Sequence, residues 1–276
     1  MQPSPLVRNR ARRHKAAMSD EIFSRPRRRL NRARALRATS DSRWLSLRMA
    51  EELADRLSYM SLQARNILVI GDGSDIATAA FPDAAIYRMD LAPSDGVDFV
   101  GEEDRLPIAD NAVDLVIAIG NLDSVHDLPG ALLLIRRALR PGGLFLGAML
   151  GGGSVASLRA KVAEREAAAG KGGAARFHPQ VDVRAAGDLL FRAGFSTPVA
   201  DLDLVNVRYS RMTNLLADVR AISGNALPAV RPLSGAVGRS LLKEGDFEDQ
   251  FGILYLTGWA PAPGEARPAG PVKGAY

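Results

Sequence analysis

The chain has 276 residues, of which 47% are apolar, 24% charged and 6% aromatic, enough for one full core with tails and too little for two large domains. It has no cysteine and three histidines, which excludes disulfides, thiolate metal sites and cysteine nucleophiles, and no metal site is expected. The net charge of +5 hides an asymmetry: residues 1–37 hold twelve Lys or Arg against Asp20 and Glu21, a local +10, so the rest of the chain is −5. An acidic body with a basic arm argues against a folded face that tracks phosphates, and no nucleic acid is expected as a partner of the core.

Residues 1–40 read as a basic arm, largely disordered because its charge outweighs its few apolar anchors. It lacks the apolar stretch of a secretory signal, although its Arg-rich, acid-poor start resembles an organellar transit peptide, and Met18 is an alternative start. With 31 arginines to 5 lysines the composition points to a GC-rich coding sequence and a bacterial, cytoplasmic protein, the mitochondrial matrix being the alternative. From Trp44 to Met60 apolar residues recur at helical steps. Short apolar strands then follow at Ile67–Ile70, Ala85–Met89, Val113–Ile119 and Leu144–Met149, with a helix over Leu128–Leu139 stopped by Pro141-Gly142-Gly143. Continuous apolar strands alternating with helices predict a parallel sheet covered on both faces. Further on, helices are predicted at Ser154–Ala169, Val183–Ala193 and Met212–Ile222, and strands at Thr197–Val207 and Gly252–Trp259. The longest apolar runs are about seven residues, against the roughly 18 of a membrane span, so no transmembrane segment is expected. The domain is placed at residues 41–260, and Pro261, Pro263, Pro268 and Pro271 mark a disordered tail over 261–276.

In an open α/β sheet the ligand lies beyond the carboxyl ends of the strands, where strand order reverses. The first such loop, Gly71-Asp72-Gly73-Ser74-Asp75, offers two glycines for close backbone approach; the plainer alternative is a tight turn capped by Ser74 or Asp75. Asp90 ends the second strand 19 residues after Gly71, close to the spacing at which a carboxylate meets the ribose hydroxyls of a nucleotide. The acidic turn Gly101-Glu102-Glu103-Asp104 is placed to receive the exocyclic amine of a base, or is simply a solvated loop.

Glu102 to Ile108, Asn111 to Val116 and Leu139-Arg140-Pro141-Gly142-Gly143 resemble the class I S-adenosylmethionine-dependent methyltransferases. Leu146 to Met149, His178-Pro179, Arg192 to Phe195 and Gly258-Trp259 narrow the likeness to the methyltransferase-like complex I assembly factors, which include an arginine hydroxylase, and more distantly to the carrier-protein malonyl methyltransferase of biotin synthesis. The resemblance implies an α/β, Rossmann-like doubly wound seven-stranded sheet, mostly parallel, with a helical lid insertion. It implies S-adenosylmethionine as cofactor, held by Gly71, Asp72, Gly73, Asp90, Leu91, Glu102, Glu103 and Asn121. It further implies methyl transfer to a protein or acyl-carrier substrate. The sequence departs from that pattern at Val69, where an acidic residue is usual, at Asp75, where a third glycine is usual, and at Asp123-Ser124, which replace His-Trp. Those departures keep a second reading open, a catalytically degenerate protein acting in respiratory-complex assembly. The catalytic group is unassigned; Asp123, His126 and Tyr209 are the candidates, and Arg208 is as readily a strand-end ion pair.

Overall fold

The computed structural model describes residues 22–38, 40–170, 176–222, 227 and 233–265. Seven strands form one sheet: β1 (Asn66–Gly71), β2 (Ala85–Asp90), β3 (Phe99–Val100), β4 (Val113–Ile119), β5 (Leu139–Leu150), β6 (Ser196–Tyr209) and β7 (Phe247–Trp259), in the order β3-β2-β1-β4-β5-β7-β6. All neighbours from β3 to β5 pair in parallel, and β7 alone runs the other way, antiparallel to both β5 and β6. The expected doubly wound, mostly parallel sheet is therefore present, with strand order reversing at β1 and β4.

Alternation along the buried strands feeds two cores. Ile67 and Val69 of β1 join Leu115, Ile117, Leu144 and Leu146 on one face, under α2 (Trp44–Ser58), α3 (Ser74–Ala80), α5 (Ala156–Ala168), α7 (Met212–Ile222) and α8 (Gly235–Leu242). Leu68 and Ile70 join Val116, Ala118 and Phe145 on the other, under α4 (Leu128–Ala138) and α6 (Val183–Ala193). Asp127 caps α4 by accepting from Gly130 N at 2.9 Å, and Gly194 closes α6 in the left-handed region at φ +87°. The carboxylate of Asp114 pins the base of β1 by accepting from the backbone N of Arg65 and Asn66, each at 2.9 Å, and from Arg140 Nη1 at 2.7 Å.

The arm, expected to be disordered or loosely helical, is described only in part. Residues 1–21 lie outside the described part, but Arg25–Ala35 form a helix, α1, with Ser24 as N-cap and Pro26 in its first turn. Its first turn contains no acid of its own to face the helix dipole; Glu102 and Asp104, across the crevice, take that place. Of the expected tail, residues 266–276 lie outside the described part, while Glu265 accepts from Ser196 Oγ at 2.5 Å and from Ala262 N at 2.9 Å.

Candidate functional site

The loops after β1, β2, β3 and β4 open into one crevice, floored by Gly71, Asp72, Asp90, Glu102, Glu103 and Asn121 and roofed by α1. At Gly71 (φ +76°) a Cβ would lie 2.4 Å from Ile119 O and 2.7 Å from Asn121 Nδ2, and at Gly73 (φ +119°) it would meet the side chains of Ile117 and Ile119 at 3.2 and 3.0 Å. Both glycines are thus required by the approach of the β1 and β4 loops to one another. Neither Ser74 nor Asp75 caps α3, whose N-cap is Gly73 without a side-chain bond, and Asp75 is exposed.

Asp90 is buried and held by its own turn, with Oδ1 accepting from Leu91 N at 2.6 Å and Ala92 N at 3.4 Å. A carboxylate so fixed at the end of β2 is the strand-end acceptor the sequence predicts. Here both its oxygens are taken by Arg32 of α1: Nε lies 3.0 Å from each, and Nη2 lies 2.8 Å from Oδ2. Arg32 Nη2 also reaches Asp72 Oδ1 at 3.0 Å, which Arg43 Nη2 shares at 3.1 Å. Burial opposes the charge on Arg32, yet Asp72 and Asp90 more than offset it and hold the guanidinium above its ordinary pKa. Burial likewise pushes Asp72 upward, and Arg32 and Arg43 outweigh it, leaving that carboxyl below its usual range.

One turn earlier Arg28 is buried against Glu103, donating from Nη2 at 2.9 Å, from Nε to Ser124 Oγ at 3.2 Å, and from Nη2 to Asn121 O at 3.2 Å. Glu103 is fully enclosed, and burial raises its pKa despite Arg28. Three buried polar atoms at this seam have no partner: Arg28 Nη1, Glu103 Oε1 and Asn121 Nδ2. At the mouth Arg25 pairs with Glu102 and clasps Asp104 through two bonds of 2.8 and 2.7 Å, while Arg29 Nη2 reaches Glu102 Oε1 at 2.7 Å. Every carboxylate of the acidic turn is therefore matched by an arginine of α1, a pairing that the reading of a solvated arm misses. The signal is present in the sequence: Arg25, Arg28, Arg29 and Arg32 follow the i, i+3, i+4, i+7 spacing of one helix face.

The acceptor side is covered by the same segment. Ile22 N donates to His126 Nδ1 at 3.0 Å, and the ring of Phe23 meets His178 edge-on at 4.7 Å. His178 Nδ1 stands 3.9 Å from Asp123 Oδ2, and both residues line a pocket of about 80 Å³ with Arg159, Arg176 and Gln180. Beyond Phe177 lies a larger apolar cavity of about 450 Å³ between α5, α7 and α8, lined by Leu158, Val162, Leu216 and Leu241. Of the three catalytic candidates, Asp123 lines the small pocket with His178, and His126 lies against Ile22. Tyr209 is engaged elsewhere: its hydroxyl donates to Asp218 Oδ2 at 2.7 Å, beside Trp44 Nε1 at 2.9 Å, and its ring stacks on Phe247. Among the described residues no group of side chains forms a metal site, and no helix is long and apolar enough to cross a membrane.

Residues 68–147 match the family described as "Methyltransferase domain". The chain is 32% identical over 181 residues to the mitochondrial arginine-hydroxylase NDUFAF5 of Danio rerio, covering 62% of this chain and 56% of that one, so it spans about half the length of these relatives. It is 27% identical over 260 residues to the malonyl-[acyl-carrier protein] O-methyltransferase of Laribacter hongkongensis, covering 81% and 84% of the two chains. Its fold is shared with a candidate methyltransferase of Bacillus halodurans at a TM-score of 0.51 and 14% identity, over 76% of this chain and 99% of that one. The matched residues 68–147 run from β1 to β5, the part of the sheet whose strand-end loops form the crevice, and the likeness to these methyltransferases therefore falls on the candidate site itself.

Proposed function

We propose that the chain binds S-adenosylmethionine in the crevice beyond β1, β2 and β4 and transfers its methyl group to a protein or to an acyl group borne on a carrier protein. The observation that carries this is Asp90, a buried carboxylate fixed by Leu91 N at the point where strand order reverses. With α1 withdrawn, Asp90 is left with oxygens free for two ribose hydroxyls, Glu102 and Glu103 face the place of an adenine amine, and Asn121 Nδ2 gains a partner. Asp72 and Leu91 border the same space. With α1 docked, these residues do not fit the cofactor, because Arg32 and Arg28 stand where it would lie. What remains beside α1 is a cleft of about 370 Å³ between the Gly71–Asp75 loop and Ser94–Val97.

Held by Asp90, Glu102 and Asn121 once α1 has withdrawn, the cofactor would supply an electrophilic sulfonium methyl. The chain has only to bind, align and exclude water. Asp123, His126 and His178 stand at the acceptor side, where a proton leaving the nucleophile can be taken up. The likeness to the malonyl-[acyl-carrier protein] O-methyltransferase supports a carrier protein as partner, and the likeness to the mitochondrial arginine-hydroxylase supports a protein substrate and a mitochondrial setting; a cytoplasmic bacterial setting fits the composition. Calorimetry with S-adenosylhomocysteine tests the reading. With the α1 arginines Arg25, Arg28, Arg29 and Arg32 replaced by Gln, so that α1 does not enter the comparison, adding Asp90→Asn is expected to weaken binding by about 1.5–3 kcal/mol, the range for a hydrogen-bonded charged group. Equal affinity of the two proteins would remove Asp90 from the site.

A second reading, a protein that keeps the fold for assembly of a respiratory complex without catalysis, draws support from Val69 and Asp75 and from the occupation of Asp90 by Arg32. Absence of binding at millimolar S-adenosylhomocysteine, in the wild type and in variants lacking the α1 arginines, would select it.

A further inference from the structure

We propose that α1 is a reversible plug: its docking and the binding of cofactor exclude one another, so the N-terminal segment sets how much of the protein is competent to bind. The inference rests on the cofactor reading above. Arg32 places three donor contacts on the two oxygens of Asp90, and its guanidinium fills the space that a ribose would need against that carboxylate. Both ligands require the same atoms, so they compete directly rather than through a distant change.

The seam also has the marks of a contact built to open. A permanent interface satisfies its buried polar atoms, since each orphan costs free energy that folding must offset. Here Arg28 Nη1, Glu103 Oε1 and Asn121 Nδ2 are all orphaned, and all three line the crevice. Each is the kind of group that a nucleoside, or water after undocking, would satisfy. The helix is held mainly by charge, through Arg25, Arg28, Arg29 and Arg32 against Asp72, Asp90, Glu102, Glu103 and Asp104, and it joins the domain covalently only through its C-terminal end. Ahead of it Phe23 and Ile22 lie over His178 and His126, so withdrawal uncovers the cofactor and acceptor sides together. Apparent affinity falls by the fraction of molecules in which the plug is out, and loosening the plug must therefore raise it.

The absence of cysteine from the chain makes a direct test possible. Ala35, buried on α1, becomes the sole thiol in full-length Ala35→Cys, sheltered while α1 is docked and exposed when it leaves. S-adenosylhomocysteine, at concentrations where calorimetry shows this protein to bind it, is expected to speed maleimide labelling of that thiol. In parallel, the full-length quadruple variant R25Q/R28Q/R29Q/R32Q is expected to bind S-adenosylhomocysteine at least about tenfold more tightly than wild type. Binding by the quadruple variant alone is the extreme form of the same result. Labelling that ligand binding leaves unchanged or slows overturns the plug, as does a quadruple variant that binds equally or more weakly; either result leaves the cofactor reading standing. If neither wild type nor quadruple variant binds, the cofactor reading fails and the plug with it. Should the quadruple variant not fold, the labelling experiment decides alone.

Discussion

Two recesses lie on either side of α7, and the chain treats them in opposite ways. The crevice at the ends of β1, β2 and β4 is lined with carboxylates and filled by the protein's own arginines, whereas the cavity beneath α5 and α8 is lined with aliphatic side chains and left open. Burial accounts for the difference. A set of uncompensated carboxylates is costly to enclose and recruits the nearest cations, while an apolar cavity costs only its lost contacts. A charged site of this kind is therefore masked by default, and an apolar one is not.

That contrast is most sharply tested at Arg28. Arg28→Ala leaves Glu103 enclosed without its cation and is expected to cost the docked state about 3–5 kcal/mol. Because the proposed plug can leave, the loss should appear as faster hydrogen exchange of the α1 amides, with β4 and β5 unchanged; exchange that quickens in β4 as well would show that α1 is part of the core. On the apolar side, Leu158→Ala is expected to lower global stability by about 2 kcal/mol, the low end for such truncations because its surroundings already contain a cavity. Denaturant unfolding reads this, and α1 exchange should not respond. Tyr209→Phe, at the end of β6, removes one bond to Asp218 of α7 while Trp44 keeps its own, an expected loss of about 1 kcal/mol in the same measurement.

Acid should separate the recesses further. Asp72 and Asp104 are held below their usual range by Arg32 and Arg25 against the opposing effect of burial, so their contribution is complete above the ordinary carboxylate pKa and is lost as pH falls through the depressed values. Glu103, raised by burial, works in the opposite direction. Where Asp72 and Asp104 govern, α1 exchange corrected for intrinsic rate quickens between about pH 5 and pH 3; slowing over that range would show that Glu103 governs instead. Among the described residues the lining of the apolar cavity contains no carboxylate, and the stability lost through Leu158→Ala should not depend on acid.

Much of this was legible beforehand, for reasons that differ by element. Val113–Ile119 reads as a strand because both faces are covered and nearly every residue is apolar; the place of Asp90 at the end of β2 reads from its spacing after Gly71. The helix α8 was not legible, since Gly235 and Gly238 break the periodicity that would announce it, and two-residue β3 is shorter than any pattern. The role of α1 was hidden for another reason. Hydrophobic periodicity finds helices that bury apolar faces, and this helix buries a stripe of arginine: the arginine spacing is in the sequence, but its meaning depends on carboxylate partners some 40 to 80 residues along the chain.

The position of β7 has a consequence for the order in which the protein is made. It is the last strand in the chain, yet it lies inside the sheet, donating one edge to β5 and the other to β6. Until residue 259 has left the ribosome β6 has no strand to pair with and β5 presents a bare edge, so the nascent chain must hold an open sheet of five parallel strands through the whole of its synthesis. Closure comes in one step at the end, and a chain stopped anywhere before β7 would expose two sticky edges at once.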